Sequence, residues 1–463
     1  MTRQPKVGLL PLYLELYDQA VPEALARFGP FIEAVAGGLE HERVDVVRAD
    51  VCRVNAQFRA AVERFEREDV DLIVTLHLAY SPSLESVDLL ASTKLPILML
   101  DTTMDHDFGL DAAPDRIMYN HGIHGVQDLA SMLRRRKKPF EIVAGHVTES
   151  EVLGRAADAA RAAYAAACFG TTRALRIATR FRGMGDFAVY ESVLRDVLGT
   201  WVDEIEPDDL AADVSTVTDE DVDAEMQRDA DQFVLDLPEE VHRRSVRVGL
   251  GLRRRLEQGE YDVFSMNFAA FDSPDPPVDT VPFIEASKAM ARGMGYAGEG
   301  DVLTASLVGA LNRAFGKTTF TEIFCPDWKG GTLFLSHMGE VNPETAAGQP
   351  RLIEKPFPYT PAHNPAVLTC AIANGPAVLV NLAPGPDDRF GLIVASVEVV
   401  GDTTVPEMRD AVRGWMRPAC SVEAFLEQYS RLGGTHHSAL VLGVRAEAIA
   451  AFASFAGLEC SRI

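Results

Sequence analysis

The chain reads as an α/β protein whose last third turns β-rich, and three observations predict this. Short apolar runs alternate with helical patterns through residue 172, and a second alternating set follows to residue 316. From residue 317 onward, closely spaced β-like runs replace the alternation. Three domains are therefore expected, over 1–172, 173–316 and 317–463, and 463 residues with 47% hydrophobic side chains can bury several cores.

In the first domain the runs "KVGLLPL", "VDVVRAD", "VDLIVTLHL", "LPILMLD" and "FEIVAGH" predict parallel strands. Between them "VPEALARFGPFIEAVAGGL", "FRAAVERFERE", "SLESVDLLAST" and "GVQDLASMLRRR" carry helical spacing, and an Ala-rich helix closes the domain. The second domain repeats the alternation from "LRIATRF" through "TWVDEIE", "VHRRSVRVGLGLRRRLEQG" and "YDVFSMNF" to "FIEASKAMARG". The third strings together "TTFTEIF", "GTLFLSHM", "RLIEKPF", "AVLTCAI", "PAVLVNLA" and "FGLIVASVEVV", with one late helix at "VEAFLEQYSRL". An antiparallel sheet or small barrel accommodates that pattern.

A net charge of −24 repels phosphate backbones and anionic membranes, so nucleic acid and membrane are not expected as partners. The amino-terminal stretch lacks the apolar run of a signal peptide, being broken at Pro11, Glu15 and Asp18. The six cysteines, Cys52, Cys168, Cys325, Cys370, Cys420 and Cys460, are scattered without a C-x-x-C pair, which predicts reduced thiols and a cytoplasmic protein.

Several lookalikes fail their context. "GMGYAG" at 293–298 matches G-x-G-x-x-G but follows a helical segment, where a dinucleotide fingerprint follows a strand. "FGKTT" lacks an upstream glycine at the distance a P-loop needs. Asp105, His106 and Asp107 read as a solvated loop, and His77 as a hydrogen-bonded core histidine.

The residues that carry chemistry lie further on. Glu299 sits between glycines in "GEGD", ahead of a helix for which Asp301 is the natural cap. Glu322 falls inside the apolar strand "TTFTEIF", and His337 follows the equally apolar "LFLS". A lone buried carboxylate is costly, whereas carboxylates and imidazoles converging on one cation satisfy each other. The doublet His436–His437 supplies a further nitrogen, and strand alternation would let only one of the two face a shared centre. A mixed oxygen and nitrogen set suits Mn²⁺ first, with Co²⁺ or another divalent transition metal as alternatives.

"GYAGEGD", "TTFTE", "LSHMGEVNP" and "GGTHHS", with "VTLHLAYSPS", "YNHGIHGVQDL" and "RFRGM" upstream, give most of the chain a resemblance to the L-arabinose isomerases of the L-arabinose/L-fucose isomerase group. The resemblance implies a flavodoxin-like N-terminal domain, a central α/β domain and a C-terminal domain of barrel type. It implies the metal ligands Glu299, Glu322, His337 and His437, with the two glutamates also the acid/base pair. It further implies that Leu16, Tyr17, His124, Met184 and His436 face the sugar, His124 from an adjacent subunit of a trimer or hexamer.

The resemblance breaks along the sugar-facing wall. Leu14 and Glu15 stand where the family has Gln and His, Val302 and Leu303 where it has Trp and Lys, and Ile323 where it has an acid. The expected activity is thus metal-dependent interconversion of a free aldose and its ketose by proton transfer between C1 and C2. L-Arabinose is one candidate substrate beside other pentoses, hexoses, deoxyhexoses or a tetrose. A metal-dependent epimerase or lyase on the same scaffold, and a non-catalytic sugar-binding protein, are the competing expectations.

Overall fold

The computed structural model describes residues 3–463 and divides into two compact bodies. One comprises residues 3–167 with 447–457, the other residues 168–446 with 458–463.

The first body is a five-stranded parallel sheet. Its strands are β1 (Lys6–Leu12), β2 (Asp45–Arg48), β3 (Leu72–His77), β4 (Ile97–Asp101) and β5 (Glu141–Ala144), in the order β2-β1-β3-β4-β5. That is the flavodoxin order, and it accounts for the unbroken apolar runs, because both faces are covered. Leu72, Val74, Leu98 and Leu100 turn to one core with Phe28, Val35 and Leu39. Ile73, Ile97 and Met99 turn to the other with Phe58, Phe65 and Leu129. Phe455, from the late helix Ala446–Ala456, packs on the first of these cores.

In the second body β6 (Arg173–Ile177), β7 (Trp201–Ile205), β9 (Val263–Met266) and β10 (Gly295–Gly298) form a parallel sheet in the order β10-β9-β6-β7. β8 (Val234–Asp236) leaves it to pair with β13 (Arg351–Glu354), which pairs in turn with β14 (Ala366–Thr369). The remaining strands are β11 (Thr318–Asp327), β12 (Thr332–Ser336), β15 (Gly375–Pro384), β16 (Phe390–Val399), β17 (Gly414–Pro418) and β18 (His437–Leu442). They run antiparallel in the order β15-β18-β11-β12-β17-β16, and pairing of β15 with β16 closes the ring into a six-stranded barrel. β19 (Glu459–Arg462) adds in parallel to β16. The barrel anticipated from the spacing of the β-like runs is therefore present, beside two parallel α/β sheets.

The glycines of "GMGYAG" have a packing explanation. The helix Val302–Phe315 lies so close to β10 that a Cβ on Gly295 would stand 2.1 Å from the Ala305 carbonyl oxygen. Only glycine permits that approach. Among the described residues, no helix is long and apolar enough to cross a membrane.

Candidate functional site

Two structural rules bring the chemistry-bearing residues together in the second body. Glu299 follows β10 at the carboxyl edge of the parallel sheet, the edge where α/β folds bind ligands. Its backbone is left-handed, φ 66°, and is held by its own N–H on the Met266 carbonyl and by the Phe181 N–H on its carbonyl, both at 2.9 Å. The other rule is barrel register: Glu322 on β11 is directly paired with His437 on β18 and with Ser336 on β12, the residue before His337. Cross-strand partners share a face, which brings His437 to Glu322, while His337, one residue past the end of β12, is freed from strand alternation and turns in beside them.

The distances confirm the convergence. Glu322 Oε1 lies 3.1 Å from His337 Nε2 and 3.0 Å from His437 Nε2. Glu299 Oε2 lies 3.4 Å from His437 Nε2 and 3.7 Å from His436 Nε2. One ligand atom from each of Glu299, Glu322, His436 and His437 falls within 4.8 Å of the others. Both histidines of the doublet face Glu299, contrary to the alternation expected of an extended pair. β18 begins at His437, so His436 lies outside the strand and escapes the rule.

Each imidazole is braced from behind by a carboxylate. His337 Nδ1 is 2.7 Å from Glu340 Oε2, His437 Nδ1 is 2.8 Å from Asp301 Oδ2, and His436 Nδ1 is 2.6 Å from Asp186 Oδ2. A carboxylate only accepts, so each Nδ1 carries the proton and each Nε2 turns to the centre. Carboxylate-backed imidazoles are the usual outer-shell arrangement of metal-binding histidines. Tyr296 extends one brace by donating to Glu340 Oε1 at 2.9 Å.

Among the described residues, two buried atoms at the centre, Glu299 Oε2 and His437 Nε2, lie close to other members of the cluster yet make no hydrogen bond. Such orphans are costly unless a further group completes them, and a cation facing two carboxylates and imidazole nitrogens does so. The donor set therefore fits a divalent metal.

The charges agree. Burial works against ionising Glu299, yet the imidazoles of His436 and His437 hold its carboxyl down at about 2. Burial is likewise overridden at Glu322, which His337 and His437 keep well below the usual carboxylate range. Against burial, Glu340 and Glu322 lift His337 to about 10, and Asp301, Glu299 and Glu322 raise His437. Five carboxylates surround three imidazoles, and the cluster draws in positive charge.

Met184 lies half-buried on the loop after β6, its amide on the Phe181 carbonyl at 3.4 Å. Leu16, Tyr17 and His124 belong to the first body, where the Tyr17 hydroxyl lies 3.2 Å from His121 Nε2 and the His121 and His124 rings are 5.7 Å apart. His77 is a core histidine bonded to Ser81 and Thr75, and burial pushes its pKa down to about 3. Asp105 braces Arg116 and Asn120 within its loop. Asp186, Glu340 and Tyr296 were not singled out from sequence. His337 and Glu340 are three residues apart and could have been; Asp186 is 250 residues from His436, and no local pattern joins them.

Fold and site together define a two-body α/β protein whose second body joins a parallel sheet to a closed barrel around a carboxylate–imidazole cluster fitted to a metal. Family models for the N-terminal, central and C-terminal domains of L-arabinose isomerase match residues 16–170, 191–315 and 317–459. The chain belongs to the L-arabinose isomerase family. Curated relatives named L-arabinose isomerase include those of Nocardioides sp., 29% identical over 99% of this chain and 94% of the relative, and Shouchella clausii, 27% over 98% and 93%. That of Herpetosiphon aurantiacus is 27% identical over 96% and 91%.

Proposed function

We propose that the chain is a metal-dependent aldose–ketose isomerase acting on a free sugar, with L-arabinose the first candidate substrate. Membership of the family supplies the reaction class. The observation that carries the metal is the pair of buried orphans, Glu299 Oε2 and His437 Nε2, inside a ring of carboxylate-braced imidazoles. Glu299, Glu322, His337 and His437 are the proposed ligands and Mn²⁺ the proposed ion, Co²⁺ second. When bound, a divalent cation supplies electrostatic stabilisation for the oxygens at C1 and C2 as negative charge builds on them.

The chain's own residues move the protons. The reaction takes a proton from C2 of the aldose and returns it to C1, while a second proton passes between the two oxygens. Glu299 is assigned to the carbon proton, because its buried Oε2 faces the centre and makes no hydrogen bond among the described residues. Glu322, with Oε1 between two imidazoles, is assigned to the oxygen-bound proton. His436, Met184, Leu16, Tyr17 and His124 are assigned to the sugar, His124 from a neighbouring subunit of a homo-oligomer, trimer or hexamer. A cytoplasmic location is proposed with it, supported by six cysteines scattered without a C-x-x-C pair.

The test is to strip the protein of metal, reload it with Mn²⁺ and offer a panel of aldoses and ketoses, following ketose formation and deuterium exchange at C2. Ketose formation that depends on the reloaded metal supports the isomerase. Absence of both turnover and exchange with every sugar, despite bound Mn²⁺, would sink it.

A further inference from the structure

The loop that follows β6, residues 178–190, carries a feature that neither the sequence motifs nor the family assignment explains. It touches two limbs of the cluster at once. Through the Phe181 N–H it holds the Glu299 carbonyl at 2.9 Å. Through Asp186 it holds His436 twice with a single carboxylate oxygen, Oδ2, which accepts the backbone N–H at 2.9 Å and Nδ1–H at 2.6 Å. The next residue, Phe187, is buried and stacks on the His437 ring at 5.0 Å and 10°.

The three carboxylate braces are not equivalent. Asp301 and Glu340 are almost fully buried and sit behind imidazoles locked in the core. Asp186 and His436 are each more than a third exposed, and His436 lies just outside β18. An imidazole there, without a strand to fix its backbone, has rotamers that turn Nε2 to solvent. The two bonds to Asp186 remove that freedom: one fixes the backbone that sets the direction of Cβ, the other fixes the ring and its tautomer.

We propose that Asp186 is a positioning residue that acts through His436. It keeps His436 Nε2 turned toward Glu299 and the space a sugar must occupy, while Phe187 seats the neighbouring ring of His437. The proposal rests on the isomerase reading for its kinetic consequence, but not for its structural one.

Asp186→Ala is predicted to lower kcat/KM about 10- to 100-fold, the range for loss of an outer-shell carboxylate brace, with Mn²⁺ affinity and thermal midpoint unchanged. Asp186→Asn, whose amide oxygen accepts both bonds, restores most of the activity. In a double-mutant cycle, adding Asp186→Ala to His436→Ala costs nothing further, since the residue it positions is gone. Additive losses, or an Asn variant as poor as the Ala variant, would overturn the proposal; the Asn variant decides alone should the Ala variant not fold. Wild-type turnover on the sugar panel is the control for the isomerase reading. If that control fails, the ¹⁵N resonances of labelled histidines still decide, with His436 assigned by its disappearance in His436→Ala. A fixed Nδ1–H tautomer in the wild type that averages in Asp186→Ala supports the positioning role, and an unchanged signature refutes it.

Discussion

Asp301 joins two jobs at His437. Its Oδ1 accepts the Thr304 N–H at 2.9 Å and caps the helix Val302–Phe315, while its Oδ2 accepts from His437 Nδ1 at 2.8 Å. Both side chains are fully buried. The start of a helix in the α/β half is thereby tied to the first residue of a barrel strand, and the orientation of one imidazole depends on a helix cap.

Replacing Asp301 by Ala should damage both at once. Loss of a cap costs about 0.5–2 kcal/mol, and loss of the brace should weaken metal binding about 10- to 100-fold. Asp301→Asn keeps one oxygen, enough for the Thr304 cap, but turns an amide N–H toward His437 Nδ1, so it should retain most of the stability and still lose the brace. Urea unfolding and Mn²⁺ titration of the two variants check this. Equal metal affinity in Asp301→Ala and wild type would show that the 2.8 Å contact does not orient His437.

Metal addition should itself stabilise the fold. A ligand that binds only the native state at a hundred times its Kd adds about 2.7 kcal/mol. The thermal midpoint of stripped protein should therefore rise steadily with added Mn²⁺, and Glu322→Gln should abolish most of the rise. A flat midpoint across the titration would mean that the cluster centred on Glu322 and His437 holds no cation.

How much of this was legible in the sequence depends on whether a feature has a local signature. The two parallel sheets were legible because strands buried on both faces are continuously apolar, as in "VDLIVTLHL". Barrel closure was not encoded in any one stretch, since it lies in the pairing of β15 with β16 across the whole set of strands. Glu322 and His337 stood out as polar groups in apolar runs, and Asp301 as a cap before a helix. The facing of the histidine doublet departs from strand alternation because β18 begins at His437 and leaves His436 outside it. Asp186 was invisible for the reason that makes it informative, its partner being remote in the chain.

Gly295 gives a packing prediction at a motif that resembles a nucleotide site. Gly295→Ala would drive a methyl to 2.1 Å from the Ala305 carbonyl and 2.6 Å from the Gly309 nitrogen, both backbone atoms that cannot rotate away. Overpacking of that kind costs about 1–3 kcal/mol or more, and β10 would shift under Glu299. The expected result is a lower urea midpoint together with weaker Mn²⁺ binding. If the alanine variant matched wild type in both, the helix Val302–Phe315 would not be seated on β10 as described.

The buried ion network around Glu225 predicts the acid limb of stability. Glu225 is nearly inaccessible and is paired with Lys288 at 2.9 Å and Arg253 at 2.7 Å. Burial alone would raise its carboxyl, but Arg253 and Lys288 outweigh it and hold it far below its ordinary value of 4.5. A depressed carboxylate binds fewer protons folded than unfolded, so its contribution is fully present above that ordinary value and drains away as the pH falls below it. Glu225→Gln should therefore lose about 3–5 kcal/mol at neutral pH, the cost of leaving a buried partner uncompensated. The gap to wild type should narrow as the pH falls from 5 to 3, because only the wild type has that carboxylate to protonate. Urea unfolding of both proteins across this range tests the sign: a gap that stayed constant or widened toward acid would show that Glu225 is not held ionised by Lys288 and Arg253.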